Sequence, residues 1–287
     1  MGFATGLGAA ILASLLFNGG VVLQALDARR APRDLGLRVA LLTQLLHRGR
    51  WLLGTALGIV GFLPQLVAYA EAPFVVVQPA LGAGLLVLLA SGRRILDETV
   101  GLPEIAGVVG IIGGIALVSW AAPARSEAPR GVLAPAAVLA FLCVAGLVPF
   151  ALRRTRLVSG MLLIVASGCG FGATNVATKL LGDAYPGWLV GAGAYAAVAA
   201  VMGIAATLVG MTAFQRARAT IAVPISTAVQ TFLPLVLEPL FLRERWSSAT
   251  DVIAVVAGLV LALAGCVLIA RSKAVTGLVS SASGVRG

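Results

Sequence analysis

VIAVVAGLVLALAGCVLIA, residues Val252–Ala270, is nineteen residues long and carries no charge. A helix of that length crosses roughly 30 Å of hydrocarbon, the apolar thickness of a bilayer. Working outward, eight more such runs appear: Phe3–Leu26, Trp51–Ala70, Ala72–Gly92, Ile105–Ala124, Gly131–Leu152, Leu157–Thr178, Trp188–Ala213 and Ala219–Leu242. Only Ala219–Leu242 holds a charge well inside it, at Glu238. The pattern predicts an all-α polytopic membrane protein of about nine transmembrane helices.

Composition agrees. The 287 residues are 60% hydrophobic and 11% charged, against about 25% charged in soluble domains. A net charge of +10 would suggest nucleic acid in a soluble chain. Here the basic residues fall in short connectors, where orientation signals and lipid phosphates account for them, so no nucleic-acid partner is expected. Cys143, Cys169 and Cys266 lie inside apolar runs, form no metal motif and imply no disulfide framework. No cofactor is expected. The first run lacks a basic leader and reads as a span, not a cleaved signal.

Lys and Arg divide 16 to 5 between alternate connectors. The positive-inside bias therefore predicts a multi-pass protein of the cell inner (plasma) membrane, N-terminus outside and C-terminus cytoplasmic. Trp51, Trp120, Trp188 and Trp246 lie at run ends, as an interfacial aromatic belt requires. Leu35–His47 is too short to cross and reads as an amphipathic helix on the cytoplasmic surface. His47 reads as solvated.

The two halves resemble each other. Gly58-Ile59, Leu63, Ala68, Ala72 and Pro79 recur 145 residues later as Gly203-Ile204, Leu208, Ala213, Ala217 and Pro224. Each half runs through a polar-dotted span, a plain span, a proline-bearing span with an acidic connector, and a Gly/Ala-rich span. The organisation expected is a first repeat over 1–122, a linking helix at 131–152, a second repeat over 157–271 and a cytoplasmic tail at 272–287. Four spans plus one is odd, so the second repeat is inverted, a signature of many secondary transporters.

Polar side chains inside a span face other helices or a water-filled path. Thr220, Pro224, Thr227, Thr231, Pro234 and Glu238 step by three or four residues along one helical face, with Ser226 and Gln230 beside it. Pro79, with Gln78 beside it, and Pro224 interrupt corresponding spans, a pointer to a substrate site. Asn18 and Gln24 dot the first span; Ser167, Thr174, Asn175 and Thr178 dot the sixth. The candidate binding set is Asn18, Gln24, Gln78, Pro79, Asn175, Thr178, Pro224, Thr227, Gln230, Thr231 and Glu238. Glu238 reads as either a proton or cation carrier, or an ion-pair or headgroup contact. Gly54-x-x-x-Gly58, Gly110-x-x-x-Gly114 and Gly168-x-x-x-Gly172 favour close helix packing.

Ala72-Pro73, Val77-Gln78-Pro79, Asp97-Glu98, Glu104, Gly107 and Gly113-Gly114 together resemble the drug/metabolite transporter superfamily. So do Val223-Pro224, Pro234, Leu242-Arg243-Glu244-Arg245 and Gly258 in the second half. Nine spans look more like its NIPA-type magnesium transporters than its ten-span EamA-type permeases. The resemblance implies an inverted-repeat carrier with a central site. Mg²⁺ usually keeps waters and binds one or two carboxylates, and the chain offers one carboxylate deep in a span. The sequence leaves a bound metal undecided.

The expectation is a secondary transporter moving a small metabolite or cation by alternating access. Its partners would be membrane lipids and that small-molecule or cation substrate, with a homodimer left open. The second reading is a non-transporting scaffold or accessory subunit that keeps the symmetry. A membrane-embedded enzyme ranks third, since one histidine and scattered cysteines supply no catalytic cluster.

Overall fold

The computed structural model describes residues 3–72, 74–121, 133–155, 157–184, 187–242 and 249–271. All its regular structure among these residues is helical. The helices are α1 Phe3–Arg30, α2 Val39–Leu46, α3 Gly49–Glu71, α4 Phe74–Gly82, α5 Gly84–Ile95, α6 Leu102–Ala121, α7 Leu133–Ala151, α8 Gly160–Ala184, α9 Leu189–Arg216, α10 Ala219–Leu242 and α11 Ala249–Ala270.

Seven helical stretches among the described residues are long and apolar enough to cross a membrane. Helices α4 and α5 count together as one, Val76–Ile95. Two shorter apolar stretches, Pro135–Ala151 and Ala219–Pro234, lie within α7 and α10. The mid-helix surface is apolar: Ile59, Leu63, Leu66, Val144, Val201, Ile253 and Leu263 are all exposed. An exposed apolar belt of this kind needs lipid, not water. The chain is a multi-pass helical membrane protein.

Glycine sets the closest helix contacts. A Cβ on Gly20 of α1 would meet the carbonyl oxygen of Gly54 of α3 at 2.5 Å, and the reverse holds. Helices α6 and α11 meet at two such crossings. A Cβ on Gly107 would lie 2.6 Å from the Gly265 oxygen, and one on Gly114 would lie 2.5 Å from the Gly258 oxygen. Glycine spaced by seven on both antiparallel helices lets the backbones touch. The Gly58 backbone nitrogen lies 3.5 Å from where a Cβ on Gly20 would sit, although a Cβ on Gly58 itself would point into open space.

Packing is repeated. Helix α1 lies along α3 and against α5, while α8 lies along α9 and against α10; α6 lies along α11, and α7 packs on α8. Details recur too. A Cβ on Gly84 of α5 would collide with Ser14 and Asn18 of α1; one on Gly168 of α8 would collide with Ser226 and Val229 of α10.

The largest apolar core fills the arginine-rich end of the bundle and extends along α6 as far as Val118. It includes Ala28, Leu41, Leu45, Leu88, Leu163, Phe214 and Ile221. Toward the other end lie three smaller clusters, one of them joined to the main core through Leu259. Ala10, Ala68, Ala72 and Val77 form one; Val138, Leu142, Ala173 and Met202 belong to another; Ala121, Ala254 and Val255 form the third.

Helix α2 is the amphipathic segment expected, shortened by a 3₁₀ turn at Arg33–Leu35, with Leu41 and Leu45 buried and Val39 exposed. Before it, Leu37 is held at φ 58°. That region is costly for a leucine. Its N–H donates to Thr212 Oγ1 at 3.0 Å and its side chain is buried, which fixes it there. His47 is exposed and its Nδ1 donates to the Thr43 carbonyl at 2.7 Å.

One expectation is corrected. Trp51 is buried, not interfacial: its indole N–H donates to Met211 Sδ at 3.4 Å and its backbone N–H to Asp27 Oδ2 at 3.0 Å. Run ends meet water only where no other helix covers them, and α9 covers this one. Trp120 and Trp188 are exposed, as a belt requires. Trp246 and the tail 272–287 lie outside the described residues.

Candidate functional site: a polar cavity between the helix groups

Helices from both halves enclose a cavity of about 520 Å³. From the first half come Phe17, Asn18, Val21 and Gln24 on α1, Phe62, Gln65 and Tyr69 on α3, Gln78, Leu81 and Gly82 on α4, Leu85 on α5 and Ile115 on α6. From the second come Ile164, Ser167, Phe171 and Asn175 on α8, Thr207, Gly210, Met211, Ala213 and Phe214 on α9, and Ala222, Val223, Ser226, Thr227, Gln230 and Thr231 on α10.

Local sequence explains the wall on each side. Pro79 lacks an N–H and cannot complete the helical ladder. A single turn residue, Ala83, in helical backbone geometry (φ −59°, ψ −21°), separates α4 from α5, and its N–H still donates to Pro79 O at 2.8 Å. On α10 the lining positions 223, 226, 227, 230 and 231 follow helical spacing. The expected stripe through Thr220, Pro224 and Pro234 is therefore turned partly away. Pro224 and Pro234 are buried against neighbours and Thr220 is fully buried.

Seven expected residues come together on the cavity: Asn18, Gln24, Gln78, Asn175, Thr227, Gln230 and Thr231. Three do not. Pro79 and Pro224 shape the helices without lining it, and the Thr178 hydroxyl donates to the Thr174 carbonyl at 2.8 Å. The Glu238 side chain lies outside the described residues. Gln65, Tyr69, Thr207 and Phe214 were not anticipated. They sit on the second span of each half, which reads as plain apolar sequence; Gln65 beside Pro64 was the only local signal.

The cavity floor is part of the main core: Leu85, Ile164, Phe214 and Ala222 belong to both. Below it lies a charged knot. Glu98, in the α5–α6 connector, is buried and forms an ion pair with Arg29 of α1. Its carboxylate also accepts the N–H groups of Ala219 and Thr220 at 2.7 and 2.8 Å, and the Thr220 hydroxyl. An anion there satisfies the unpaired donors that begin α10 and meets the positive end of its dipole. The residue before α10 is Arg218, which offers no acceptor of its own. Arg218 instead donates to the Thr99 carbonyl at 3.3 Å and to its hydroxyl. Nearby, Gln215 of α9 donates to the Ala31 and Pro32 carbonyls at 3.3 and 3.2 Å. The two halves are thus laced together at the arginine-rich end.

The same economy governs the other acids. Asp27 accepts from Trp51 N–H at the start of α3 and faces Arg48 at 3.7 Å. Glu104 accepts from Gly101 N–H at 2.9 Å at the start of α6. Among the described residues no three His, Cys, Asp or Glu side chains gather as a metal site. The free thiols are scattered over α7, α8 and α11.

Fold and cavity define the class: a polytopic helical membrane protein with a largely apolar, amide-dotted chamber between two helix groups. The chain matches no family model, no curated protein and no solved structure.

Proposed function

We propose that this protein is a secondary transporter that carries a small metabolite or cation across the inner membrane by alternating access. One observation carries the reading. A cavity rich in amides lies between two helix groups, walled off at one end by core packing and the Arg29–Glu98 knot. At the opposite end the apolar clusters of the two groups remain separate. A chamber set between two helix groups and sealed by packing at one end is what a carrier would present in one of its two states.

The recurring packing supports a nine-span, four-plus-one-plus-four inverted repeat. Helix α1 with α3 and α5 parallels α8 with α9 and α10, and α7, packed on α8 and α10, would be the linker without a counterpart in the first half. This arrangement, with the proline-bearing spans, favours membership of the drug/metabolite transporter superfamily. The Lys/Arg partition favours an orientation with the knot on the cytoplasmic side.

The test needs no substrate. Thr227→Cys is made in a background lacking Cys143, Cys169 and Cys266, and reconstituted in one orientation. A membrane-impermeant methanethiosulfonate is added to either side. A carrier is labelled from both sides, more slowly from the cytoplasm. A rigid scaffold is labelled from one side or neither, and that result would overturn the proposal.

A further inference from the structure

We infer that the cavity takes a net-neutral, hydrogen-bonding organic molecule with a flat apolar face, and rejects ions. The inference deepens the carrier reading and rests on it for passage, though not for binding.

Charge comes first. None of the described lining residues bears a formal charge; Tyr69 is the one ionisable group among them. An ion moved from water into such a chamber loses its hydration and finds no countercharge among the described lining residues. The carboxylates near the floor cannot serve. Glu98 is held by Arg29 and the start of α10, and Asp27 by Trp51 and Arg48. Both are committed to helix ends, and neither lines the cavity.

The wall offers paired donors and acceptors instead. Asn18, Gln24, Gln65, Gln78, Asn175 and Gln230 all line it. Each amide presents a carbonyl acceptor and an NH₂ donor side by side. Three are partly occupied: Gln24 donates to Thr55 Oγ1 at 3.1 Å, Asn18 donates to the Ser14 carbonyl at 2.9 Å, and Gln65 shares a hydrogen bond with the Tyr69 hydroxyl. Gln78, Asn175 and Gln230 form no side-chain hydrogen bond with another described residue, so their donors and acceptors are free for a guest. These three come from α4, α8 and α10 and approach from both halves.

Between the amides stand aromatic faces. Phe17 and Phe62 meet edge to face at 5.9 Å between centroids, and Phe171 and Phe214 lie on the second half's wall. Aromatic rings beside convergent amides suit a planar ring that carries amide, carbonyl or hydroxyl groups. A volume of about 520 Å³ holds a nucleobase, nucleoside or ring amide with room for water.

The full-length protein is reconstituted in liposomes and exposed to one defined mixture. Its neutral members are nicotinamide, uracil, uridine and myo-inositol. Its ions are 1-methylnicotinamide, spermidine, Mg²⁺, nicotinate, orotate and phosphate. Retained compounds are measured by mass spectrometry against empty liposomes, and each compound's effect on the melting temperature is measured in detergent. Retention confined to neutral members, with melting raised by the same compounds, is expected. Gln78→Leu and Gln230→Leu should each weaken the melting response about 3- to 10-fold in half-saturating concentration, the loss of one net hydrogen bond. Gln230→Glu keeps the shape and adds a charge; it should shift preference from nicotinamide toward 1-methylnicotinamide. Retention of ions alone overturns the inference and leaves the carrier reading standing. A neutral compound that raises melting without being retained upholds the inference and overturns transport. No retention and no melting response overturns the inference.

Discussion

Arg29, at the end of α1, pairs with Glu98, and through that carboxylate it reaches the start of α10 in the other half of the chain. The Glu98 side chain is almost fully buried while that of Arg29 keeps about a quarter of its surface. The anion is therefore the dependent partner: it has lost its water and needs every donor it holds.

Removing those donors' acceptor should loosen the closed end. Glu98→Ala should cost about 3 kcal/mol, the lower end of what breaking a buried pair costs, because Arg29 recovers some hydration. Glu98→Gln should cost less, since the amide oxygen still accepts. Hydrogen exchange at the Ala219 and Thr220 amides reads the effect directly. Faster exchange confined to the start of α10 is expected; unchanged exchange would show that the cap is not holding the helix.

Glycine substitutions should separate contact from open surface. Gly114→Val must displace the backbone at Gly258 and should destabilise the protein by about 1–3 kcal/mol, as overpacking does. Gly58→Ala meets nothing within 4 Å and should be neutral or stabilising by up to about 1 kcal/mol, the helix preference of Ala over Gly. Melting in detergent, followed by size-exclusion recovery, compares the two. Equal losses would show that α6 and α11 do not meet as described.

Orientation is checked with two exposed positions in the cysteine-free background. Thr43→Cys, on α2, should react with an impermeant maleimide only after the membrane is opened. Gly187→Cys, before α9, should react in intact cells. The reverse pattern would place the knot outside and invert the direction in which the cavity faces.

Much of this architecture is written in the chain's charge pattern. Every uncharged run corresponds to a helix or helix pair, because burial of the peptide group in lipid leaves few alternatives. Boundaries moved where charge is internally paired: α1 continues to Arg30 because Asp27 and Arg29 find partners, which a hydropathy reading cannot see. Gln78 and Gln230 were legible as cavity residues because an amide in a span needs a reason. Gln65 and Thr207 were less so, each being a single polar group in an apolar helix. Glu98 was seen only as an acidic connector. Its partners lie 69 and 121 residues away, and the one hint was that α10 begins without a capping side chain.

Glu238 carries a separate expectation. As the one carboxylate deep in an uncharged run, it is the natural group to couple a neutral cargo to protons. Glu238→Gln should abolish pH-driven accumulation in vesicles while leaving the ligand's melting response intact. Accumulation unchanged between pH 5 and 8 would leave it a structural anchor.

The glycine crossings of α6 and α11 bear on how such a chamber could change sides. Backbones that touch at Gly107–Gly265 and again seven residues away at Gly114–Gly258 cannot slide, since any shift drives a carbonyl into a neighbouring Cα. They can still roll, because glycine presents no side chain to jam the turn. Under the proposed carrier reading, the seam would serve as the fulcrum and the helices on either side as the arms of a rocker. Rolling about these two crossings would then open the arginine-rich end only as the opposite end narrows.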